Sequence, residues 1–193
     1  VHSSVGNFNF NCPQIANGFI VNHTILSRTS TGTFTFTGNI ISGSSTASNI
    51  TFNNTGSGTI NIIGNITGGS SSNSCQGLVT SNATINITGN INGGGGNING
   101  YAVNLNSGTL NVTGNITSNA AHAVLISGAT VVIGNITSSG AGVGILTNAT
   151  VSITVIGNVT ASTLNSGIIA TTSSVTLTGN FTNVAGKQAI YCQ

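Results

Sequence analysis

The triplet Gly-Asn-apolar returns again and again along this chain, and that recurrence constrains the fold more than any other feature. It stands at Gly6-Asn7-Phe8, Gly38-Asn39-Ile40, Gly64-Asn65-Ile66, Gly89-Asn90-Ile91, Gly114-Asn115-Ile116, Gly134-Asn135-Ile136, Gly157-Asn158-Val159 and Gly179-Asn180-Phe181. Successive glycines lie 32, 26, 25, 25, 20, 23 and 22 residues apart, which after a long first interval is the period of a solenoid built from one coil per repeat. Apolar residues stand four and two positions before most of these glycines: Phe34 and Phe36, Ile60 and Ile62, Ile85 and Ile87, Leu110 and Val112, Ile153 and Val155, Val175 and Leu177. That alternation is the signature of a strand with one buried face. A glycine continuing the inward series turns a tight corner without a side chain to house. The coil ending at Gly134 departs from the pattern, with Thr130 at an apolar position followed by Val131-Val132-Ile133, which predicts a bulge or register shift there.

A second apolar segment occurs in each coil, as at Phe19-Ile20-Val21, Leu78-Val79, Val124-Leu125-Ile126, Ile145-Leu146 and Ile168-Ile169. Gly, Ser and Asn clusters separate the segments and read as turns. Short strands of this kind bury their inner faces only by stacking, about 4.8 Å apart, into a continuous core. Val, Ile, Thr, Asn and Gly dominate while Glu and Met are absent, which argues against helices. The expected fold is all-β: a right-handed, single-stranded parallel β-helix, or β-solenoid, of about eight coils with a 20-26 residue repeat. One domain spans 1-193, with an atypical first coil over 1-37 and regular coils over 38-193.

Charge narrows the function. The 193 residues include no Asp or Glu, and the basic residues are Arg28 and Lys187 alone, against about 25% charged residues in an ordinary soluble domain. Paired carboxylates, Ser-His-Asp relays and calcium cages all need groups this sequence lacks, so the expectation is a non-enzymatic protein with no cofactor. A net charge of +2 gives little attraction for phosphates, which argues against nucleic acid. His2, His23 and His122 are scattered and predict no metal site. Gly93 to Gly96 is followed by no Lys and reads as a loop. No apolar run approaches the roughly 18 residues of a membrane span, so membrane insertion is not expected. The chain starts at Val1 and contains no Met, as a processed, secreted product would. Without charge repulsion, something else must keep such molecules apart: a glycan coat, or incorporation into an assembly.

The Asn, Thr, Gly and Ser richness and the coil length resemble the β-helical repeats of secreted adhesins and filamentous surface proteins within the pectate-lyase-like superfamily. The resemblance covers the whole chain and implies the fold more firmly than the function. The polysaccharide-cleaving members use acidic residues on the outer face of the helix, and this chain has none.

Twelve Asn-x-Thr acceptors for N-glycosylation occur, at Asn22, Asn49, Asn53, Asn65, Asn82, Asn86, Asn111, Asn115, Asn135, Asn148, Asn158 and Asn180. Five of them repeat one position of the coil, Gly-Asn-apolar-Thr. The competing reading is structural, since Thr favours strands and stacked Asn side chains form hydrogen-bonded ladders. A hydroxyl column five residues before the glycine, Thr33, Thr59, Thr84, Thr109, Ser152 and Ser174, offers a flat uncharged face for ice or a polysaccharide. The next outward column mixes Thr35, Asn61, Asn86, Asn111, Thr154 and Thr176. Three cysteines, Cys12, Cys75 and Cys192, are disulfide candidates whose pairing stays open.

The function expected from these features is a structural subunit of an extracellular fibre, N-glycosylated and formed by end-to-end stacking into a head-to-tail homopolymer. The alternative is a monomeric cell-surface adhesin or ice- or polysaccharide-binding β-helix that uses the outward Thr and Asn columns. In the fibre, residues Val1 to Phe8 of one subunit would complete the coil left at Gln193 of another, with Gly6 at the corner and a Cys12-Cys192 bond as a lock.

Overall fold

The computed structural model describes residues 8–16, 24–43, 49–69, 75–95, 100–119, 122–128, 130–139, 142–150, 152–161, 167–171, 174–183 and 190–192. Among them every regular element is a strand: β1 (Phe8–Ala16), β2 (Thr24–Arg28), β3 (Thr33–Ile41), β4 (Asn49–Asn54), β5 (Gly58–Ile63), β6 (Ile66–Thr67), β7 (Cys75–Thr80), β8 (Ala83–Thr88), β9 (Ile91–Asn92) and β10 (Val103–Leu105). There follow β11 (Gly108–Ser118), β12 (Val124–Ile126), β13 (Thr130–Ser138), β14 (Ile145–Thr147), β15 (Ser152–Ile156), β16 (Val159–Thr160), β17 (Ile168–Ala170), β18 (Ser174–Thr178), β19 (Phe181–Thr182) and β20 (Ile190–Cys192).

The chain alternates between two parallel sheets. The smaller has eight strands in the order β2-β4-β7-β10-β12-β14-β17-β20. The larger has twelve, led by β1, β3, β5, β8, β11, β13, β15 and β18, with the short β6, β9, β16 and β19 completing its far side. Consecutive strands of one sheet are one coil apart in sequence, which is the expected parallel β-solenoid. Following one ladder, Phe34, Ile60, Ile85, Leu110, Val132 and Val155 stack in register. These six residues mark five turns, each 0–2% exposed. The solenoid is thus about five turns long, not the eight coils expected from counting triplets. The five turns run between strands that have a neighbour on each side; β1 and β18 continue the same ladder through Phe8 and Leu177 with a neighbour on one side among the described residues.

The core is built of stacked columns of branched and aromatic side chains. Ile40, Ile66, Ile91, Ile116, Ile136 and Val159 form one, and Phe52, Leu78, Val103, Val124, Ile145 and Ile168 form the one facing it, all 0% exposed. Each such side chain removed from water contributes about 1.5–3 kcal/mol. Their identity at successive coils follows from the ladder, because a residue buried in one coil is the floor for its equivalent in the next.

The corner glycines are explained by the backbone rather than by an inward direction. Gly38, Gly64, Gly89, Gly134, Gly157 and Gly179 all have φ between 139° and 150°, a region that favours glycine. A Cβ on Gly64, Gly89, Gly157 or Gly179 would overlap the carbonyl oxygen of the equivalent glycine one coil earlier. The glycines therefore form their own column, packed along the axis.

The expected irregularity is present, and its location is specific. In the β11–β13 pairing, Asn111 faces Ile133 and Asn115 faces Asn135, with the register shifting between. Residues 112–114 thus stand against Gly134 alone. The bulge moves Val132 onto the column of Leu110 and leaves Val112 as the last member of the column of Phe36, Ile62 and Ile87.

Phe8 pairs with Phe34, 26 residues on, and Phe34 pairs with Ile60 at the same interval. The first coil therefore has the length of the second. Gln14, not Asn7, faces Asn39, after a register shift between Asn11 and Gln14 that contains Cys12 and Pro13. Gly6 and Asn7, expected at the corner of that coil, lie outside the described residues.

Candidate functional site

The outward faces carry amide and hydroxyl columns. At the glycine corner, Asn39 Oδ1 accepts the backbone N–H of Asn65 at 2.9 Å, and Asn65 Oδ1 accepts that of Asn90 at 2.8 Å. The same bond joins Asn90 to Asn115, Asn135 to Asn158 and Asn158 to Asn180, at 2.9, 3.1 and 3.0 Å. Five corner asparagines, Asn39, Asn65, Asn90, Asn135 and Asn158, thus hold the next coil. On the flat outer face of the larger sheet a second ladder runs from Asn111 Nδ2 to Asn86 Oδ1 at 2.8 Å and from Asn86 Nδ2 to Asn61 Oδ1 at 2.9 Å. These distances are those of good hydrogen bonds.

The hydroxyl column holds for four coils. Thr33, Thr59, Thr84 and Thr109 face one another directly. Past the bulge the column continues through Val131, Thr154 and Thr176, while Ser152 and Ser174 pair in a different column. The neighbouring column, Thr35, Asn61, Asn86 and Asn111, continues through Ile133, Ile156 and Thr178. Both columns differ from those expected, because the bulge displaces the upper coils relative to the lower ones.

Of the glycosylation acceptors, Asn82, Asn115, Asn135, Asn148, Asn158 and Asn180 are exposed, and Asn53, Asn65, Asn86 and Asn111 are half-buried. Asn22 lies outside the described residues, and Asn49 is placed by its backbone in β4. The cysteines are separated: Cys12 is in β1 of the larger sheet, Cys75 is buried at the start of β7, and Cys192 closes β20 of the smaller sheet.

Two polar groups to which the sequence reading gave no structural role tie neighbouring coils together. Arg28 is fully buried in a chain without a carboxylate side chain. Its Nη1 donates to Asn54 Oδ1 at 2.9 Å, and its Nη2 donates to the carbonyls of Ser57, at 2.9 Å, and Gly32. Asn54 Nδ2 in turn donates to Gly56 O at 2.7 Å and Thr80 Oγ1 at 3.1 Å. Arg28, Asn54 and Thr80 are one ladder column, so a polar network spans three coils, with the Arg28 Nε left unpartnered. Burial pushes the guanidinium pKa down. The signal for it was the strand period, since Arg28 stands two residues beyond Leu26 on the inward side.

His122 is the other. Its Nδ1 accepts the backbone N–H of Val143 at 2.9 Å, and its ring stacks on Tyr101 with centroids 5.7 Å apart and planes 18° from parallel. Three coils meet at this one side chain. Burial lowers the His122 pKa and raises that of Tyr101. Among the described residues no cluster of three His, Cys, Asp or Glu could hold a metal ion, and no helix is long and apolar enough to cross a membrane. Comparison with protein-family models, with curated proteins and with solved structures finds no match.

Proposed function

We propose that this chain is a non-enzymatic structural subunit of an extracellular fibre, in which β-solenoids stack end to end and N-linked sugars take the place of surface charge. The observation that carries the reading is the contrast between the coil of β15 to β17 and that of β18 to β20. Ile153, Val155, Val159 and Ile168 are 0–1% exposed. Their ladder successors Val175, Leu177 and Phe181 are only partly buried, and Ile190 is 43% exposed. Strand edges and apolar side chains presented together favour addition of another strand. What covers them best is a coil of equal period, and the β1–β2 coil of a second copy is one.

The ladders give the joint its register. Phe8 heads the column that ends in Leu177, and Leu26 heads the column that ends in Ile190. A copy added in register sets Phe8 on Leu177 and Leu26 on Ile190. This replaces the joint drawn from the sequence, in which Phe8 stood at the glycine corner. Cys12 lies in the larger sheet and Cys192 in the smaller, and the joint does not depend on a bond between them. The reading includes a right-handed coil, the hand that parallel crossover connections take in nearly all cases, and kinship with filamentous surface proteins of the pectate-lyase-like superfamily.

A test is to change Leu177→Asp or Ile190→Asp and follow assembly by light scattering. Each places a charge in the joint while touching a side chain that is already partly or largely exposed. Loss of assembly with retained β-sheet circular dichroism supports the joint. Undiminished assembly contradicts it.

One observation favours a second reading, a monomeric binder of a neutral crystalline polysaccharide or ice. Thr33, Thr59, Thr84 and Thr109 stand in register at about 4.8 Å intervals, on a face with no charged residue. Co-sedimentation with insoluble polysaccharide, lost in Thr59→Lys, would support it.

A further inference from the structure

The sequence motif treats twelve asparagines alike, but their amide nitrogens are not alike. Asn65, Asn86 and Asn111 each spend Nδ2, the atom a glycan takes, on the asparagine one coil earlier, at 3.2, 2.9 and 2.8 Å. Asn115, Asn135, Asn158 and Asn180 are exposed, but they occupy one corner of successive coils, about 4.8 Å apart. A sugar on one would crowd the next.

Asn82 and Asn148 differ from both groups. They stand at the opposite corner, where the chain passes from the smaller sheet to the larger: Asn82 between β7 and β8, Asn148 between β14 and β15. Both are exposed, and so are Thr84 and Thr150 of their triplets. Asn82 takes the left-handed conformation, φ 55°, and its Oδ1 accepts from the Ser107 hydroxyl. Asn148 uses its backbone N–H toward Ile126 O at 3.2 Å. Neither Nδ2 has a hydrogen-bond partner among the described residues. The strands β7, β10, β12 and β14 are consecutive in their sheet, so the two sites lie three coils, about 14 Å, apart.

We propose that Asn82 and Asn148 are N-glycan sites of the folded chain. The sugar donor is an oligosaccharide on a lipid diphosphate. A bond forms between the amide Nδ2 and the anomeric carbon, the bond from that carbon to the diphosphate oxygen breaks, Nδ2 gives up one proton, and the lipid diphosphate leaves. No oxidation state changes. The assignment rests on the reading that sugars replace charge on this surface. Glycans at this one corner hold solenoids apart sideways and leave the strand edges at the ends clear.

The chain is produced in a secretory cell that carries such a donor and its transferase, and glycopeptides of the folded, secreted material are mapped. Asn82 and Asn148 are expected to be the most fully occupied acceptors, with Asn86 and Asn111 bare. Thr84→Ala and Thr150→Ala destroy one triplet each without touching the asparagine turn, and each is expected to lower the intact mass by one glycan. Bare Asn82 and Asn148 in folded material, or sugars on Asn86 or Asn111 at equal occupancy, overturn the assignment. Assembly is scored separately on the same material. Glycans mapped as expected on a chain that never assembles uphold the sites and overturn the fibre alone.

Discussion

His122 and Arg28 hold opposite places in the electrostatics of a chain without carboxylate side chains. His122 Nδ1 is an acceptor, so the bond to Val143 exists only while that nitrogen is unprotonated. Burial depresses the folded-state pKa, and the unfolded value is about 6.5. The His122 contribution is therefore complete above about pH 6.5 and is lost as pH falls below it toward the depressed folded value. With no Asp or Glu to protonate, no acid transition near pH 4 is expected, and among the described residues His122 is the source of the pH dependence that remains. Melting temperatures between pH 4 and pH 8 should fall on the acid side for the native chain and stay flat for His122→Gln, which keeps an acceptor without titrating. Equal falls in both would exclude His122 as the cause.

Arg28 gives a prediction of a different kind. Replacing a buried charge with an apolar residue of similar size is often neutral, but here the guanidinium is the donor for Asn54 Oδ1 and for two carbonyls. A buried polar group left without its partner costs about 1–3 kcal/mol, so Arg28→Met should destabilise the chain by at least about 2 kcal/mol in urea unfolding. A gain in stability would show that the network contributes nothing.

At the scale of the element, the coil is defined by its corner. Gly157 has φ 147° and no room for a Cβ beneath the carbonyl of Gly134. Gly157→Ala combines a strained backbone, of order 1–3 kcal/mol, with an overlap that the coil below must relieve. Asn158→Ala deletes only the acceptor for the Asn180 N–H, worth about 0.5–1.5 kcal/mol. Denaturation midpoints should therefore rank the native chain above Asn158→Ala, and Asn158→Ala above Gly157→Ala; the reverse order of the two variants would contradict the account of the corner.

These corners also show what a sequence of this kind discloses. Inward columns were legible from alternation alone, because Phe34, Ile60, Ile85 and Leu110 must share a floor. The bulge was legible from Thr130, but not its consequence that the columns of Thr109, Leu110 and Asn111 continue through Val131, Val132 and Ile133, since register is a property of pairs of coils. Gly6-Asn7-Phe8 misled for the same reason: the triplet is local, whereas the ladder that sets Phe8 on Phe34 is not. Arg28 could be located on the inward side by period two, yet its partners Asn54 and Ser57 lie a full coil away.

For the whole molecule, the low charge of the sequence and the partly exposed apolar side chains of β18 to β20 favour the same proposal. Under the proposed arrangement, sugars on Asn82 and Asn148 would oppose lateral contact and leave the strand edges of the solenoid clear for the addition of a coil in register. The rod should then grow along its axis alone. Electron microscopy of the purified, glycosylated chain tests this most directly. The account predicts unbranched filaments of one thickness, shortened by Ile190→Asp, whereas dispersed single rods at every concentration would contradict it.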